Sequence, residues 1–163
     1  MPYEALRDPY GIAFWPNFKG RDGCRTPMPW SDGAQAGFSA VAPWLPVPSA
    51  HHPRAVSCQE ASADSPLNVF RRFLRWRRQQ PALRWGEIQL IDLPEPLLAF
   101  VRRCGDDALF VAFNLGADAA AVPLPLPQAA TLRALDGHGL LQGRVDGGIL
   151  HLPAYGAIFA RIG

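Results

Sequence analysis

Residues 1–62 constrain the fold more than any other part of the sequence, because they combine frequent prolines with aromatic side chains and show almost no periodicity. Neither an amphipathic helix nor an alternating strand is evident in this segment. Aromatic side chains at this density must still pack against something, and an irregular stretch of this length is unusual inside a compact domain. We therefore predict an irregular segment that carries a function or belongs to a larger body.

The composition predicts a folded chain with many turns. A length of 163 residues suits one domain, or a small domain with an appendage. Hydrophobic residues make up 48% of the chain and charged residues 18%, which argues against disorder. The 17 prolines and 15 glycines are too many for a helical protein and favour turns and extended segments.

Charge and cysteine content limit the classes of binding partner and the cellular location that we expect for this protein. The formal net charge of +2 is too small to indicate nucleic acid or a membrane surface as a partner. Cys24, Cys58 and Cys104 show no Cys-x-x-Cys spacing, which favours reduced thiols in a cytoplasmic protein over a disulfide between two of them. No signal-peptide pattern opens the sequence, and no stretch reaches the ~18 apolar residues of a membrane span. We expect a cytoplasmic protein that binds neither nucleic acid nor membrane.

A helical pattern covers residues 64–80. Ser65 suits the N-cap and Pro66 the first helical position, and Pro81 is expected to stop the helix. The opposite face carries arginines, which we interpret as a solvated face rather than a nucleic-acid patch. Two adjacent apolar stripes predict a buried face wider than one small sheet would need. The stripes comprise Leu67, Val69, Phe70, Phe73, Leu74 and Trp76.

From residue 84 onward the sequence predicts short strands. The segment 104–107 is a hairpin turn between two of them, and prolines restrict the run 119–126 to an edge strand or a linker. We predict a mainly β fold class: a C-terminal antiparallel β-sandwich, Greek-key-like, preceded by one long helix and the irregular N-terminal segment. The predicted strands lie near 88–93, 97–103, 109–113, 119–126, 131–135, 148–152 and 157–162.

Four sequence runs carry a resemblance to a known family. The most specific is GRDGCRTPMPW at 20–30, which lies within DPYGIAFWPNFKGRDGCRTPMPW at 8–30. The others are PWLPV at 43–47, LNVFRRFLRWRRQQPALRWGEI at 67–88 and LPAYGAIFARI at 152–162. Together they make the chain resemble the C-terminal portion of the α-glucosidases and oligo-1,6-glucosidases of glycoside hydrolase family 13.

The resemblance implies a division into two parts. Residues 1–82 would be the last loop and helix of a (β/α)8 catalytic barrel, and residues 83–163 would be the all-β domain that follows it. A complete member would hydrolyse a terminal α-linked glucose with retention, using a carboxylate nucleophile and a carboxylic acid on earlier barrel strands. A barrel needs about 250 residues, and the Asn-His-Asp motif of the family does not occur here. We therefore expect a fragment without nucleophile or acid that is inactive by itself.

The same resemblance selects the candidate site residues. Arg21 and Asp22 would lie at the mouth of the active site, where charged side chains bind sugar hydroxyls, and Arg25 is a third candidate substrate-binding residue. The alternatives are an internal Arg21–Asp22 pair that fixes the loop, and a structural Arg25 that binds backbone carbonyls. No catalytic residue, metal ligand or cofactor is predicted, since His51 and His52 lack a third ligand with suitable spacing. The expected partners are the α-glucosidic oligosaccharide of the intact enzyme and the missing barrel portion.

Two rival interpretations remain open at this point. The first is a β-sandwich retained as an interaction or carbohydrate-binding module, although the aromatic residues after Gly86 occupy alternating, core-like positions. The second is the remnant of a disrupted gene that forms nothing stable. If the fragment interpretation holds, residues 1–62 should pack poorly and leave apolar surface exposed.

Overall fold

A computed structural model describes residues 1–127 and 130–163 of the chain. The chain divides into two compact units, Met1–Asn68 and Val69–Gly163. This boundary falls inside the long helix, whereas the division implied by the family resemblance falls after it, between residues 82 and 83. The family-based division stays a prediction.

The first unit is an irregular assembly of short helical turns, in agreement with the lack of periodicity in its sequence. Backbone hydrogen bonds join distant parts of it, since the N–H groups of Val56 and Ser57 donate to the carbonyls of Pro29 and Trp30. Its α-helices are α1 (Pro9–Ala13) and α2 (Val56–Glu60), and its 3-10 turns are Tyr3–Ala5, Asp22–Cys24, Ala34–Gly37 and Ser49–Arg54.

Many large apolar side chains of the first unit are exposed, as the sequence predicts. Trp44 retains 69% of its accessible surface and Trp30 retains 53%. Leu6 and Leu45, in contrast, are buried. Apolar side chains exposed in this number are suited to contact with another protein surface. The exposed set comprises Tyr3, Tyr10, Ile12, Phe14, Phe18, Met28, Trp30, Phe38, Val41 and Trp44.

The long helix α3 (Pro66–Arg78) begins where the sequence predicts. The Oγ of Ser65 accepts a hydrogen bond from the N–H of Asn68 at 3.3 Å, which confirms Ser65 as the N-cap. The buried face is narrower than predicted, because Trp76 is buried whereas Phe70 is 60% exposed. Phe70 is therefore the exposed member of the first predicted stripe, in which Leu67 and Leu74 are half-buried, while Trp76 of the second stripe is buried.

A further helix follows α3, and the sequence analysis missed it. The helix α4 (Pro81–Trp85) begins at the proline that was predicted only to stop a helix. Proline suits the first position of a helix, where the N–H that it lacks has no intrahelical acceptor. The Oδ2 of Asp107 accepts from the N–H of Ala82 at 3.3 Å, and its Oδ1 lies 3.0 Å from the Nε of Arg161. These contacts fix the start of α4 against two strands.

The second unit contains two antiparallel sheets, which confirms the predicted fold class. One sheet has the strand order β1-β2-β3-β8-β5 and the other has the order β4-β7-β6. The proline-containing strand β4 lies at an edge, as predicted, whereas the short strand β6 was not predicted. The strands are β1 (Glu87–Ile91), β2 (Leu97–Cys104), β3 (Asp107–Asn114), β4 (Ala120–Pro123), β5 (Leu132–Ala134), β6 (Arg144–Asp146), β7 (Ile149–Leu152) and β8 (Ala157–Ile162).

Strand β3 organises the core because both of its faces are buried. Phe110 and Ala112 belong to a cluster that includes Leu150 of the second sheet. Leu109 and Val111 belong to a second cluster, which includes buried residues of α3 and α4. A short continuous apolar run is typical of a strand covered on both faces, and β3 is that strand here.

A cluster of rings joins α3 to β8. Trp76 packs edge-on against Phe159 with the ring centroids 4.8 Å apart, and the ring of His138 lies 5.4 Å from Trp76 and 4.9 Å from Phe159. His138 is buried, its Nδ1 accepts from the N–H of Leu140 at 3.1 Å, and its Nε2 is hydrogen-bonded to the side chain of Gln142. Burial lowers the pKa of His138 from its ordinary value of 6.5, because the imidazolium would lose its hydration there.

The ring cluster predicts which phenylalanine stabilises the second unit. Phe159→Ala should lower the free energy of unfolding by about 3–5 kcal/mol, since it removes a buried ring from contact with Trp76 and His138. Phe70→Ala, the same change at an exposed position of α3, should alter it by less than about 0.5 kcal/mol. Urea denaturation of both variants provides the comparison, and equal losses would contradict this description of the core.

The buried imidazole predicts a loss of stability in acid. The folded-state pKa of His138 lies below 6.5. The contribution of the neutral imidazole to the free energy of unfolding is therefore fully present above pH 6.5. It is lost as the pH falls through 6.5 toward the lowered folded pKa, where the unfolded chain binds the proton first. His138→Gln should therefore lose less stability between about pH 7.5 and about pH 5 than the parent chain does. Urea midpoints at the two pH values measure this difference, and an unchanged pH dependence in the variant would refute the assignment.

Candidate functional site

The three predicted site residues lie on one segment after α1. Asp22 begins the 3-10 turn Asp22–Cys24, and the N–H of Arg25 donates to the carbonyl of Asp22 at 3.0 Å. Arg21 immediately precedes this turn. The structure brings all three residues close to Asp8, which the sequence analysis did not select.

Asp22 is fully buried and binds backbone rather than an arginine side chain. Its Oδ2 accepts hydrogen bonds from the N–H of Arg7 at 2.6 Å and from the N–H of Asp8 at 2.8 Å. Its Oδ1 is buried and has no hydrogen-bond partner among the described residues. The internal Arg21–Asp22 pair considered from the sequence is therefore replaced by a contact between the Asp22 carboxylate and the chain that enters α1.

The Asp8 carboxylate forms ion pairs with both Arg21 and Arg25. Its Oδ2 accepts from the backbone N–H of Arg21 at 2.9 Å, and the same oxygen lies 3.7 Å from the Nε of Arg21 and 3.9 Å from the Nη1 of Arg25. The other oxygen, Oδ1, accepts from the N–H of Tyr10 at 3.1 Å and so caps α1. The Asp8 side chain is 2% exposed, whereas those of Arg21 and Arg25 are 65% and 45% exposed.

These contacts keep the Asp8 carboxylate charged. The hydrogen bond from the Arg21 backbone N–H lowers the pKa of Asp8 below its ordinary value of 3.8, with help from the Tyr10 N–H and the two guanidinium groups, while burial opposes the shift. Hydrogen bonds and positive charges favour the ionised carboxylate, and desolvation disfavours it. The favourable contributions outweigh the desolvation here.

Two glycines allow this close packing. Gly20 has φ +68°, and a Cβ added to it would lie 2.9 Å from the Asp8 Cβ and from the Gly11 Cα. A Cβ on Gly11 would lie 2.7 Å from the carbonyl oxygen of Lys19. Only residues without side chains let the segment before Arg21 approach α1 this closely.

A sequence signal for Asp8 was present although it was not used. An aspartate followed by a proline is the usual pair at the N-cap and first position of a helix, and Asp8-Pro9 starts α1 in that way. What the sequence did not indicate is that the arginines 13 and 17 positions later return to the same carboxylate. That contact depends on the path of the chain through the two glycines.

The other groups weighed from the sequence take no part in this cluster. The Sγ of Cys24 donates to the carbonyl of Arg21 at 3.0 Å, and Cys24, Cys58 and Cys104 are all unpaired. His51 and His52 lie in the 3-10 turn after Pro48. Within residues 1–127 and 130–163, no group of three or more His, Cys, Asp or Glu side chains could hold a metal ion, and no helix of that part is long and apolar enough to cross a membrane.

The hydrogen-bond donors of Arg21 and Arg25 are exposed to solvent, whereas the carboxylate acceptors of Asp8 and Asp22 are buried. The exposed guanidinium groups of Arg21 and Arg25 can donate to hydroxyl or carboxylate oxygens. The carboxylates of Asp8 and Asp22 are buried, so neither is accessible to a ligand as a nucleophile or an acid. What the described segment offers chemically is therefore a pair of charged donors for the oxygen atoms of a ligand.

Comparison with known proteins decides the family. The model of the alpha-amylase family, described as the alpha amylase catalytic domain, matches residues 4–86, which is more than half of the chain. This chain belongs to the alpha-amylase family, glycoside hydrolase family 13. The match includes α1, residues 20–25 (the arginine segment, which carries Arg21 and Arg25) and α3, so the candidate site lies within the residues that match the catalytic-domain model.

The chain is similar to part of several longer members of the family. A protein from Rhizobium meliloti (strain 1021), described as a probable alpha-glucosidase, is 47% identical over 162 residues, which are 99% of this chain and 29% of that protein. An oligo-1,6-glucosidase of Parageobacillus thermoglucosidasius is 29% identical over 75% of this chain and 22% of its own length. The chain therefore spans less than a third of the curated relatives that it matches.

Solved structures of longer proteins share this fold. An alpha-glucosyl transfer enzyme, XgtA, matches with a TM-score of 0.90 and 46% identity over 99% of this chain and 30% of that protein. A trehalose-6-phosphate hydrolase of Bacillus licheniformis matches with a TM-score of 0.77 and 21% identity over 99% of this chain and 33% of its own. At the lower identity the likeness concerns the fold alone.

The site geometry predicts a difference between two neighbouring glycines. Gly20→Ala should lower the free energy of local opening of the arginine segment by about 1 kcal/mol or more. The backbone φ of Gly20 is positive, and a Cβ at this position would clash with the side chain of Asp8. Gly23→Ala is the matched control, since a Cβ there meets nothing within 4 Å. Hydrogen exchange of peptides that cover residues 6–25 should be faster in the first variant and unchanged in the second. Equal exchange in both would contradict the close packing at Gly20.

Proposed function

We propose that this chain is the C-terminal part of a retaining α-glucosidase that hydrolyses terminal α-glucosidic bonds in oligosaccharides. The observation that carries the proposal is the 47% identity to a probable alpha-glucosidase over nearly the whole chain, at 29% of that protein's length. The remaining length of such a protein is sufficient for a (β/α)8 barrel, which takes about 250 residues.

The two parts of the chain have different tasks in this proposal. Residues 1–82 supply the last loop and helix of the barrel, and residues 83–163 form the β-sandwich domain that packs on it. Active sites of such barrels are built from the loops that follow the strands, so the arginine segment would lie at the substrate. The exposed apolar side chains of residues 1–62 are suited to contact with the rest of the barrel.

Arg21 and Arg25 are the residues that we assign to the substrate. Both side chains are exposed and charged, and sugar hydroxyls accept hydrogen bonds from guanidinium groups. Asp22 was also predicted to contact the sugar. Because its carboxylate is buried against the backbone of Arg7 and Asp8, we assign it a supporting role within the loop.

The nucleophile and the acid would come from outside these residues. A retaining glycosidase needs two carboxyl groups about 5 Å apart with access to the sugar. The buried carboxylates of Asp8 and Asp22 accept hydrogen bonds from backbone N–H groups. In this proposal the arginine segment therefore binds substrate, and residues on other barrel strands carry out the bond cleavage. Hydrolysis by the chain alone is therefore not expected.

Transfer of the glucosyl group is the second candidate activity. It is favoured by the 46% identity to a solved alpha-glucosyl transfer enzyme over 99% of this chain. In a retaining mechanism the covalent glucosyl-enzyme intermediate is released by whichever hydroxyl reaches it, that of water or that of a second sugar. The two activities thus use the same residues here and differ only in the acceptor.

A carbohydrate-binding module finds less support in the second unit. Sugar-binding surfaces display aromatic rings, and Phe110 and Phe159 are buried in the core. The exposed rings of this unit lie on separate elements, Phe70 on α3, Trp85 at the end of α4 and Tyr155 after β7. We also propose a cytoplasmic location, which the unpaired state of the three cysteines supports.

The proposal predicts activity only when the chain is joined to a barrel. The purified chain should not hydrolyse p-nitrophenyl α-glucoside, because it contributes binding residues alone. A chimera with the preceding portion of the Rhizobium meliloti relative should hydrolyse it, and Arg21→Ala should lower kcat/KM of the chimera by about 100-fold. Incubation with maltose distinguishes the two activities, since hydrolysis releases glucose and transfer also yields longer oligosaccharides.

Controls for the activity and for the folding of the chimera accompany this test. The relative's preceding portion without this chain should be inactive, and the chimera should be shown to be folded by its cooperative thermal unfolding. Turnover by the purified chain that survives removal of host glucosidases would refute the proposal. A folded chimera without turnover would refute it as well.

A further inference from the structure

The buried Asp8 carboxylate contacts both arginines of the arginine segment. One oxygen of it, Oδ2, is within 3.9 Å of two different guanidinium groups, those of Arg21 and Arg25, and accepts the backbone N–H of Arg21 as well. We propose that Asp8 is the positioning residue of this site, whose buried carboxylate holds both exposed arginines in the orientation that meets a sugar. This inference rests on the proposed function and assigns a role to a residue that lies outside the substrate contact.

The way in which Arg21 is held leaves its donors free. Asp8 approaches Arg21 at Nε, the nitrogen nearest the aliphatic stem. Because this contact uses Nε, it does not occupy the two terminal nitrogens of that guanidinium, which can donate to oxygens in a forked arrangement. Arg25 is contacted at Nη1, which leaves its Nη2 available. The carboxylate thus restricts each side chain without consuming its capacity to bind substrate.

The carboxylate itself has little freedom to move. Its Oδ1 accepts the N–H of Tyr10, and its own backbone N–H is bound by the buried carboxylate of Asp22. Gly20 and Gly11 bring the segment before Arg21 against α1 so closely that a Cβ on either would clash with backbone or with Asp8. Asp22 therefore holds the backbone of Asp8 in place, and the Asp8 carboxylate attracts the two guanidinium groups in ion pairs of 3.7 and 3.9 Å.

A rigid anchor of this kind matters because arginine side chains are long. An exposed arginine samples many rotamers, and each must be abandoned when a substrate binds. A side chain already held near its binding geometry loses less freedom, and pre-organisation of this sort is a main contributor to catalytic efficiency. A charged anchor is suited to this task, since its attraction acts on both guanidinium groups at once.

The orientation can be tested on the 163-residue chain without any activity. In a ¹H–¹⁵N spectrum the Nε–H of Arg21 should exchange with water at least about 5-fold more slowly in the parent chain than in Asp8→Asn, because the variant removes the negative charge that lies 3.7 Å from Nε. Asp32→Asn, the same change at an exposed carboxylate of the first unit, should leave that exchange unchanged. Equal exchange in the parent chain and Asp8→Asn would overturn the proposal.

The consequence for turnover is tested in the active chimera by a double-mutant cycle. Asp8→Asn should lower kcat/KM for p-nitrophenyl α-glucoside by about 10- to 100-fold, mainly by raising KM. Once Arg21 is replaced by alanine, the further change Asp8→Asn should cost less than about 3-fold, because the group that it positions is gone. Asp32→Asn should leave kcat/KM unchanged.

Two outcomes of the cycle would overturn the proposal. One is an unchanged kcat/KM in Asp8→Asn, and the other is a loss that multiplies fully with that of Arg21→Ala, as a general effect on folding would. If Asp8→Asn fails to fold, Asp8→Ser replaces it, since serine retains the N-cap of α1 and removes the carboxylate. An inactive parent chimera would refute the proposed function only, and the exchange measurement on the chain would still decide the role of Asp8.

Discussion

Asp8, at the start of α1, and Asp22, between Arg21 and Arg25, are both buried, and a buried carboxylate is stable only when hydrogen bonds or opposite charges replace its hydration. Four backbone N–H groups and two guanidinium groups supply this replacement. The path of the chain from residue 7 to residue 25 follows from that requirement, because those donors converge only if the segment folds back onto α1. The two arginines are exposed as a result of the same geometry that buries the two acids.

The second unit depends on a different constraint, the burial of both faces of β3. One face joins the two sheets and the other face receives α3 and α4 through Trp76 and Leu83. Outside these clusters large apolar side chains stay exposed, among them Phe70 of α3 and Leu90 of β1. The relatives are more than three times as long as the chain, and the exposed apolar surface has the character of an area that the remainder of such a protein would cover.

Much of this architecture was predictable from local patterns. Ser65 and Pro66 marked the start of α3, and the alternating runs marked most strands, because capping and period-two burial act within a few residues. The helix α4 was missed because a proline was interpreted as an end and not as a beginning. The strand β6 was missed because Val145 is its single apolar residue, between Arg144 and Asp146, and shows no alternation. The role of Asp8 was not predictable, since it depends on residues 13 and 17 positions away and on the close approach at Gly20. The same holds for His138, whose burial depends on contacts with α3 and β8.

The central claim is that this chain provides substrate-binding arginines to a retaining glycosidase whose nucleophile lies elsewhere. A 5-fluoro glucosyl fluoride traps the covalent intermediate of such enzymes on the nucleophilic carboxylate, so peptide mass spectrometry of the labelled chimera locates that group directly. The account predicts one labelled carboxylate, in the portion contributed by the relative, and no label within these 163 residues. A labelled peptide from this chain, above all one containing Asp8 or Asp22, would contradict it.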